Sequence, residues 1–206
     1  MAGKDYGKFV AVDVSGGLDV MFRQSENCSV IVETQDNLTN DLDIFVRDDI
    51  LHIHFEKSTN MLGRPRYKAY IFAPRLEAAA LSGSAGAADW DTVVAEDFSL
   101  TVSGSVNINI NVEAAKLDVN ASGSSVVRLS GKADLVSISQ SGSGSVDTFD
   151  LPVRNAVVVR SGSGRVDVAA SDSLDVVSRG SGEVRYKGYP SITQSVSGSG
   201  SIHRVN

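Results

Sequence analysis

The chain repeats itself. A Gly-Ser pair returns at Gly83, Gly104, Gly123, Gly142, Gly162, Gly180 and Gly198, with spacings of 21, 19, 19, 20, 18 and 18 residues. A period near 19 held over seven units restricts the architecture to stacked or side-by-side copies of one small supersecondary element. With each glycine at position 0, position +1 is serine in every unit and position −1 is serine in all but one, where Arg179 stands. Position +2 is glycine in the last four units, at Gly144, Gly164, Gly182 and Gly200.

The flanks of each turn alternate. Position −4 reads Ala79, Leu100, Val119, Ile138, Val158, Val176 and Gln194, and position +4 reads Ala87, Ile108, Val127, Val146, Val166, Val184 and Ile202. Positions −6 and +6 are again mainly apolar, with polar residues between. That is strand periodicity on both sides of a tight turn. Glycine suits the turn because positive φ costs it nothing, and serine hydroxyls can close such turns or bond to one another across the stack. A hairpin sandwich gives no reason for equivalent turns to match. A β-solenoid does, because each turn lies directly on the next, about 4.8 Å away. The chain is therefore expected to be all-β: a solenoid of about 19-residue coils with Ser-Gly-Ser-Gly turns.

Residues 9–22 hold a divergent further unit with Gly16 at zero, Val10 and Val12 before it, and Val20 and Phe22 after. Between it and Gly83 the period lapses. Strands are expected at Cys28–Val32, Leu42–Val46, Ile50–Phe55 and Tyr67–Phe72, with a hairpin turn at Asp48-Asp49 and a loop from Lys57 to Pro65. These strands would form a β cap hiding the open edge of the solenoid. Residues 1–206 then read as one domain, with the first coil and cap in 1–75 and the repeated coils in 76–206.

Composition narrows the function. A formal charge of −6 without a basic stripe argues against nucleic acid. No apolar run approaches 18 residues, so no membrane span is expected. Cys28 has no partner for a disulfide and reads as a structural thiol. The opening residues lack an apolar signal core, which leaves a cytoplasmic protein or an exported one whose signal has been removed.

Chemistry is sparse. Position +5 forms a column of Asn109, Arg128, Asp147, Asp167, Arg185 and His203. Stacked, Asp147 and Asp167 would sit about 5 Å apart between Arg128 and Arg185 on an outward face. Adjacent carboxylates can hold Ca²⁺ or act as acid and base on a polysaccharide, whereas a solvated ladder of ion pairs is the plainer reading. Trp90, the sole tryptophan, would either stack on a sugar ring or seal a core junction. His52 and His54 share a strand face, but no Asp or Cys stands at a matching offset nearby, so no metal site is expected there. The turn serines have no recurring base beside them, and no helix follows the glycines to make a phosphate loop.

Several segments together carry a family likeness: the opening Val14-Ser-Gly-Gly-Leu-Asp-Val20, the arm Asp49-Ile-Leu-His-Ile53, Tyr70-Ile-Phe-Ala-Pro74-Arg-Leu76 leading into Leu81-Ser-Gly-Ser84, the Ser-Gly-Ser-Gly turns, and the closing Val184-Arg-Tyr-Lys-Gly-Tyr-Pro190. The chain resembles the bacterial putative auto-transporter adhesins of the head GIN domain family. The resemblance implies a right-handed β-helical fold similar to pectin-lyase-like proteins, export to the bacterial surface or periplasm, an adhesive role, and no catalytic residues to carry over; separately, no cofactor is expected. The leading expectation is a non-catalytic adhesin that binds a polysaccharide or a surface protein through Arg128, Asp147, Asp167, Arg185 and Trp90. The alternatives are a polysaccharide lyase or hydrolase using Asp147 and Asp167, and a self-assembling homo-oligomeric module.

Overall fold

The computed structural model describes residues 4–33, 42–55, 67–87 and 89–206. Among the described residues sixteen strands join into one continuous sheet that winds as a solenoid. In chain order they are β1 (Ala11–Gly16), β2 (Leu18–Gln24), β3 (Ser29–Glu33), β4 (Leu42–Arg47), β5 (Ile50–Phe55), β6 (Tyr67–Ala73), β7 (Ala78–Gly83) and β8 (Gly86–Ala87). There follow β9 (Val93–Gly104), β10 (Asn107–Gly123), β11 (Val126–Gly142), β12 (Ser145–Gly162), β13 (Arg165–Gly180), β14 (Glu183–Lys187), β15 (Ser191–Ser197) and β16 (Ser201–Arg204). Among the described residues there is no helix long and apolar enough to cross a membrane.

Each coil has two corners. One is the Ser-Gly-Ser-Gly turn; at the other, the long strands β10 to β13 bend from one face of the solenoid to the next. In β10 the alternation of buried and exposed residues breaks over Glu113–Lys116, where that bend lies. The glycines stack in register, Gly16 on Gly83, Gly83 on Gly104, Gly123 on Gly142, Gly142 on Gly162 and Gly162 on Gly180. The uneven repeat length is taken up elsewhere. The extra residue of the 20-residue unit and the shortfall of the next appear as register shifts after Arg128 and after Thr148, near the second corner.

The interior is built from the apolar columns. From Val20 through Ala87, Ile108, Val127, Val146 and Val166 to Val184, position +4 is 0 % exposed at every level. Each valine or isoleucine of this column contributes roughly 1.5–3 kcal/mol by leaving water. One hydrophobic core runs from Phe9 to Val184.

The cap is itself a modified coil. β5 pairs parallel with β1, and β6 pairs parallel with β2, so the two stand one level ahead of the first unit although they follow it in sequence. Antiparallel β4 and β3 then cover β5 and β6. Asp48 and Asp49 turn the β4–β5 hairpin with φ of 52° and 59°, the double positive φ of a type I′ turn. The Phe55 ring packs on the backbone of Gly16 and stacks edge-on against Tyr67 at 4.9 Å, ending the glycine ladder. The expected Lys57–Pro65 loop lies outside the described residues.

The turn serines play a smaller part than expected. Ser82 and Ser122, at position −1, donate to the carbonyls of Val14 and Val102 one coil back, at 3.5 and 3.4 Å. The +1 serines are exposed, and among the described residues no hydroxyl of one turn bonds to a hydroxyl of the next. Backbone amides hold the stack instead: Ser163 and Gly164 both donate to the Gly142 carbonyl at 3.0 Å.

Candidate functional site

The face that follows the turn carries two outward rows of side chains. One runs Lys68, Asp19, Gly86, Asn107, Val126, Ser145, Arg165, Glu183 and Ser201. The other is the +5 column, in which Asn109, Arg128, Asp147, Asp167, Arg185 and His203 stand in direct register; Met21 and Tyr70 sit in register with each other on β2 and β6 of the same face.

At its C-terminal half this face is closed on itself. Asp167 is 0 % exposed although it belongs to an outward column. Arg185 straddles it in a fork, Nε to Oδ1 at 2.7 Å and Nη2 to Oδ2 at 2.7 Å, and Arg165 Nε reaches Oδ2 at 3.1 Å. The hydrogen bonds to Asp167 raise the Arg185 guanidinium above its ordinary pKa. Arg185 and Lys187 also lie over the Phe149 ring, at 5.5 and 4.5 Å from its centre. Asp147 turns aside: its Oδ1 accepts the Phe149 amide at 3.1 Å. Arg128, opposite Asp147, forms no ion pair with it among the described residues.

The Asp167–Arg185 pair is a rung of the ion-pair ladder of the plainer reading, buried here where a solvated one is expected, and the alternative of two free carboxylates is corrected. Asp147 and Asp167 are neighbours in register, but both oxygens of Asp167 are occupied by guanidinium donors and shielded from water. An acid–base pair needs a carboxyl group that reaches substrate or water, and a Ca²⁺ site needs oxygens free to ligate. Asp167 offers neither. Of the two readings of Trp90, the sealed core junction is the one the structure shows, and the residue's place among the ligand-binding residues is corrected. Trp90 is only 9 % exposed, packs at 5.8 Å against Phe22, and its indole N–H donates to the Val20 carbonyl at 2.7 Å. It seals the junction of cap and coils and presents no ring to a sugar.

The N-terminal half of the same face is open. β8 is two residues long, so the sheet is interrupted between β2 and β10. A depression of about 540 Å³ lies there, lined by Asp19, Lys68, Tyr70, Asn107, Asn109 and Arg128, with Gly86 beneath. A side chain at Gly86 would strike the Asp19 carboxylate, 2.6 Å from the position of a Cβ. Of the expected ligand-binding residues only Arg128 reaches this depression. Lys68 and Tyr70 lie in the aperiodic cap, and nothing in their spacing joins them to Arg128; only the pairing of β6 with β2 does.

The family model described as putative auto-transporter adhesin, head GIN domain, matches residues 8–190. The chain belongs to this family. Solved structures share its fold. A putative adhesin from Bacteroides fragilis superposes with a TM-score of 0.92 at 23 % identity, covering 99 % of this chain and 95 % of that one. A putative lipid binding protein from Parabacteroides distasonis gives 0.80 at 24 % identity, over 100 % and 96 % of the two chains. A putative adhesin from the same organism gives 0.78 at 24 %, over 99 % and 95 %. No curated protein matches the sequence. For this head GIN domain chain, then, the glycine turns are the scaffold and the open depression is an accessible polar feature of the face.

Proposed function

We propose that this head GIN domain protein is a non-catalytic adhesion module of the bacterial surface or envelope, and that it holds an extended polysaccharide across the depression between Lys68 and Arg128. The observation that supports this most is the convergence of an aromatic ring, two amides and both charge signs on one rigid sheet face. Amides and charged groups can bond sugar hydroxyls and carboxylates, and the Tyr70 ring can lie against a pyranose face. The engagement of Asp167 by two arginines weighs against a lyase or hydrolase working at that column. Binding to a glycan and polysaccharide array, with and without Ca²⁺, tests the reading. Arg128→Ala and Tyr70→Ala are each expected to weaken the signal about tenfold, a loss worth about 1.4 kcal/mol, with an unchanged thermal midpoint. A blank array from folded protein would defeat the polysaccharide reading and shift weight to a protein ligand.

A second reading has its own support. β15 is exposed along all seven residues, including Ile192 and Val196, whereas the opposite end is covered by antiparallel strands. Open strand edges with apolar side chains favour pairing between chains. Light scattering across a concentration series is expected to show self-association that Ile192→Lys abolishes. A strict monomer at all concentrations removes this reading.

A further inference from the structure

The geometry points to a divalent transition-metal site of the Zn²⁺ class formed by Asp13, His52 and His54. It lies on the sheet face that precedes the turn, away from the depression, and so stands independently of the adhesion reading. His52 and His54 alternate outward on β5, and β1 sets Asp13 directly opposite His52 on the neighbouring strand. This corrects the expectation that the two histidines lack a third donor. Asp13 is 39 residues away in sequence, but the cap places β5 beside it.

The donor geometry fits a small tetrahedral ion. Asp13 Oδ2 is 3.2 Å from His52 Nδ1 and 3.3 Å from His54 Nε2, and the three ligating atoms all lie within 4.8 Å of one another. Ligand bonds of about 2.0–2.1 Å in a tetrahedron place donors about 3.3 Å apart. Two of the three separations already have that value. Two imidazoles and one carboxylate form a donor set characteristic of zinc with an open fourth position.

The rings are held in place by packing. Phe45 on β4 stacks on His52 at 4.8 Å with planes 19° apart, and meets His54 edge-on at 6.2 Å. Asp43 pairs with His54 across the β4–β5 ladder and so stands on the same face. The three ligands are partly exposed, which leaves the fourth position open to water or to a donor from a bound partner.

The test uses metal-stripped protein without a histidine tag. Titration with Co²⁺ followed by visible absorption, and with Zn²⁺ by calorimetry, is expected to give one ion per chain with the absorption of tetrahedral cobalt. His52→Ala and Asp13→Ala are each expected to weaken Zn²⁺ binding at least 100-fold. His203→Ala, which removes the histidine paired with Glu183 on the other face, is expected to change it less than twofold. Thermal melting checks that each variant is folded, and the shape-preserving His54→Gln repeats the test should an alanine variant melt early. Absence of cobalt absorption and of zinc heat overturns the site. So does zinc binding that persists at full strength in the His52→Ala/His54→Ala double variant.

Discussion

Gly162→Ala is expected to remove a large part of the stability of the fold, about 4 kcal/mol or more where a domain of this kind has about 5–15. Two independent penalties meet at this residue. Its φ is 103°, where a side chain is strained whatever space surrounds it, at about 1–3 kcal/mol. A Cβ there would also stand 2.5 Å from the Gly142 carbonyl oxygen and 3.1 Å from the Gly142 nitrogen. Those atoms belong to the backbone and cannot rotate away. The same oxygen accepts the amides of Ser163 and Gly164, so relief of the clash breaks the bonds that join two coils. Gly180 in turn stacks on Gly162, with its own Cβ position 2.5 Å from the Gly162 carbonyl.

A matched control separates the penalties. Gly7 has φ of 93° and nothing within 4 Å of its Cβ position. Gly7→Ala carries the conformational cost alone and is expected to lose about 1–3 kcal/mol. Ser163→Ala, at an exposed hydroxyl, is expected to stay within about 0.5 kcal/mol. Urea melts followed by far-UV circular dichroism read all three. Equal losses at Gly162 and Gly7 would mean that coil-on-coil contact does not dictate the glycine ladder.

The glycine ladder was legible in the sequence because stacking forces chemically identical positions into contact. The strand columns were legible for the same reason: each level repeats the demand for an inward aliphatic residue. What escaped the reading depends on contacts that no period encodes. Asp167 belongs to an outward column by its backbone, and only the long arms of Arg165 and Arg185 bury it. Asp13, His52 and His54 meet because β5 inserts ahead of β1 against chain order. Trp90 looked ambiguous because its unit is the irregular one, where two-residue β8 leaves the Val20 carbonyl to be met by an indole N–H.

One complementary pair of columns lies in the sequence and is visible only once the turn is seen from inside. Position −2 reads Leu81, Val102, Ala121, Gln140, Arg160, Ser178 and Val196, and position +2 reads Ala85, Val106, Ser125, Gly144, Gly164, Gly182 and Gly200. Both columns point into the same turn. Where −2 is aliphatic in the early coils, a small side chain at +2 packs beside it, and Ala85, Val106 and Ser125 are all buried. From Gln140 onward the −2 side chain is polar in three of the four units and +2 has none. A Cβ at Gly164 would collide with the Gln140 amide, one at Gly182 with the Arg160 guanidinium, and one at Gly200 would be 2.9 Å from Arg160 Nη2. The Cβ positions of all four late +2 glycines also lie against the backbone carbonyl one coil back, those of Ser125, Gly144, Gly164 and Gly182, so the close stacking of the coils excludes a side chain there, and Gln140 and Arg160 add to that exclusion at Gly164 and Gly182.

Arg160 is the largest of these fillers, and its role leads to the second expected result. It is 0 % exposed. Its Nε and Nη2 donate to Ser178 Oγ at 3.1 and 2.6 Å, and its Nη1 donates to the carbonyls of Gly162 and Gly164 at 2.9 and 3.4 Å. Among the described residues no carboxylate pairs with it, and burial lowers its pKa from the ordinary arginine value. A buried cation held only by neutral acceptors carries a desolvation cost that its hydrogen bonds largely offset. Its volume, by contrast, fills the inside of three successive turns. Arg160→Ala is therefore expected to lose about 3–5 kcal/mol, the cost of deleting a large buried side chain. Arg160→Met keeps most of the volume and sheds the charge. It leaves Gly162 and Gly164 their backbone donors, Ser181, Gly182 and Glu183, and orphans only the Ser178 hydroxyl. It is expected to stay within about 1.5 kcal/mol of the parent protein, and Arg160→Met/Ser178→Ala to equal or exceed the parent. Denaturant midpoints of the three variants decide the matter. If the methionine variant falls as far as the alanine variant, the guanidinium's hydrogen bonds, and not its bulk, hold the late turns together.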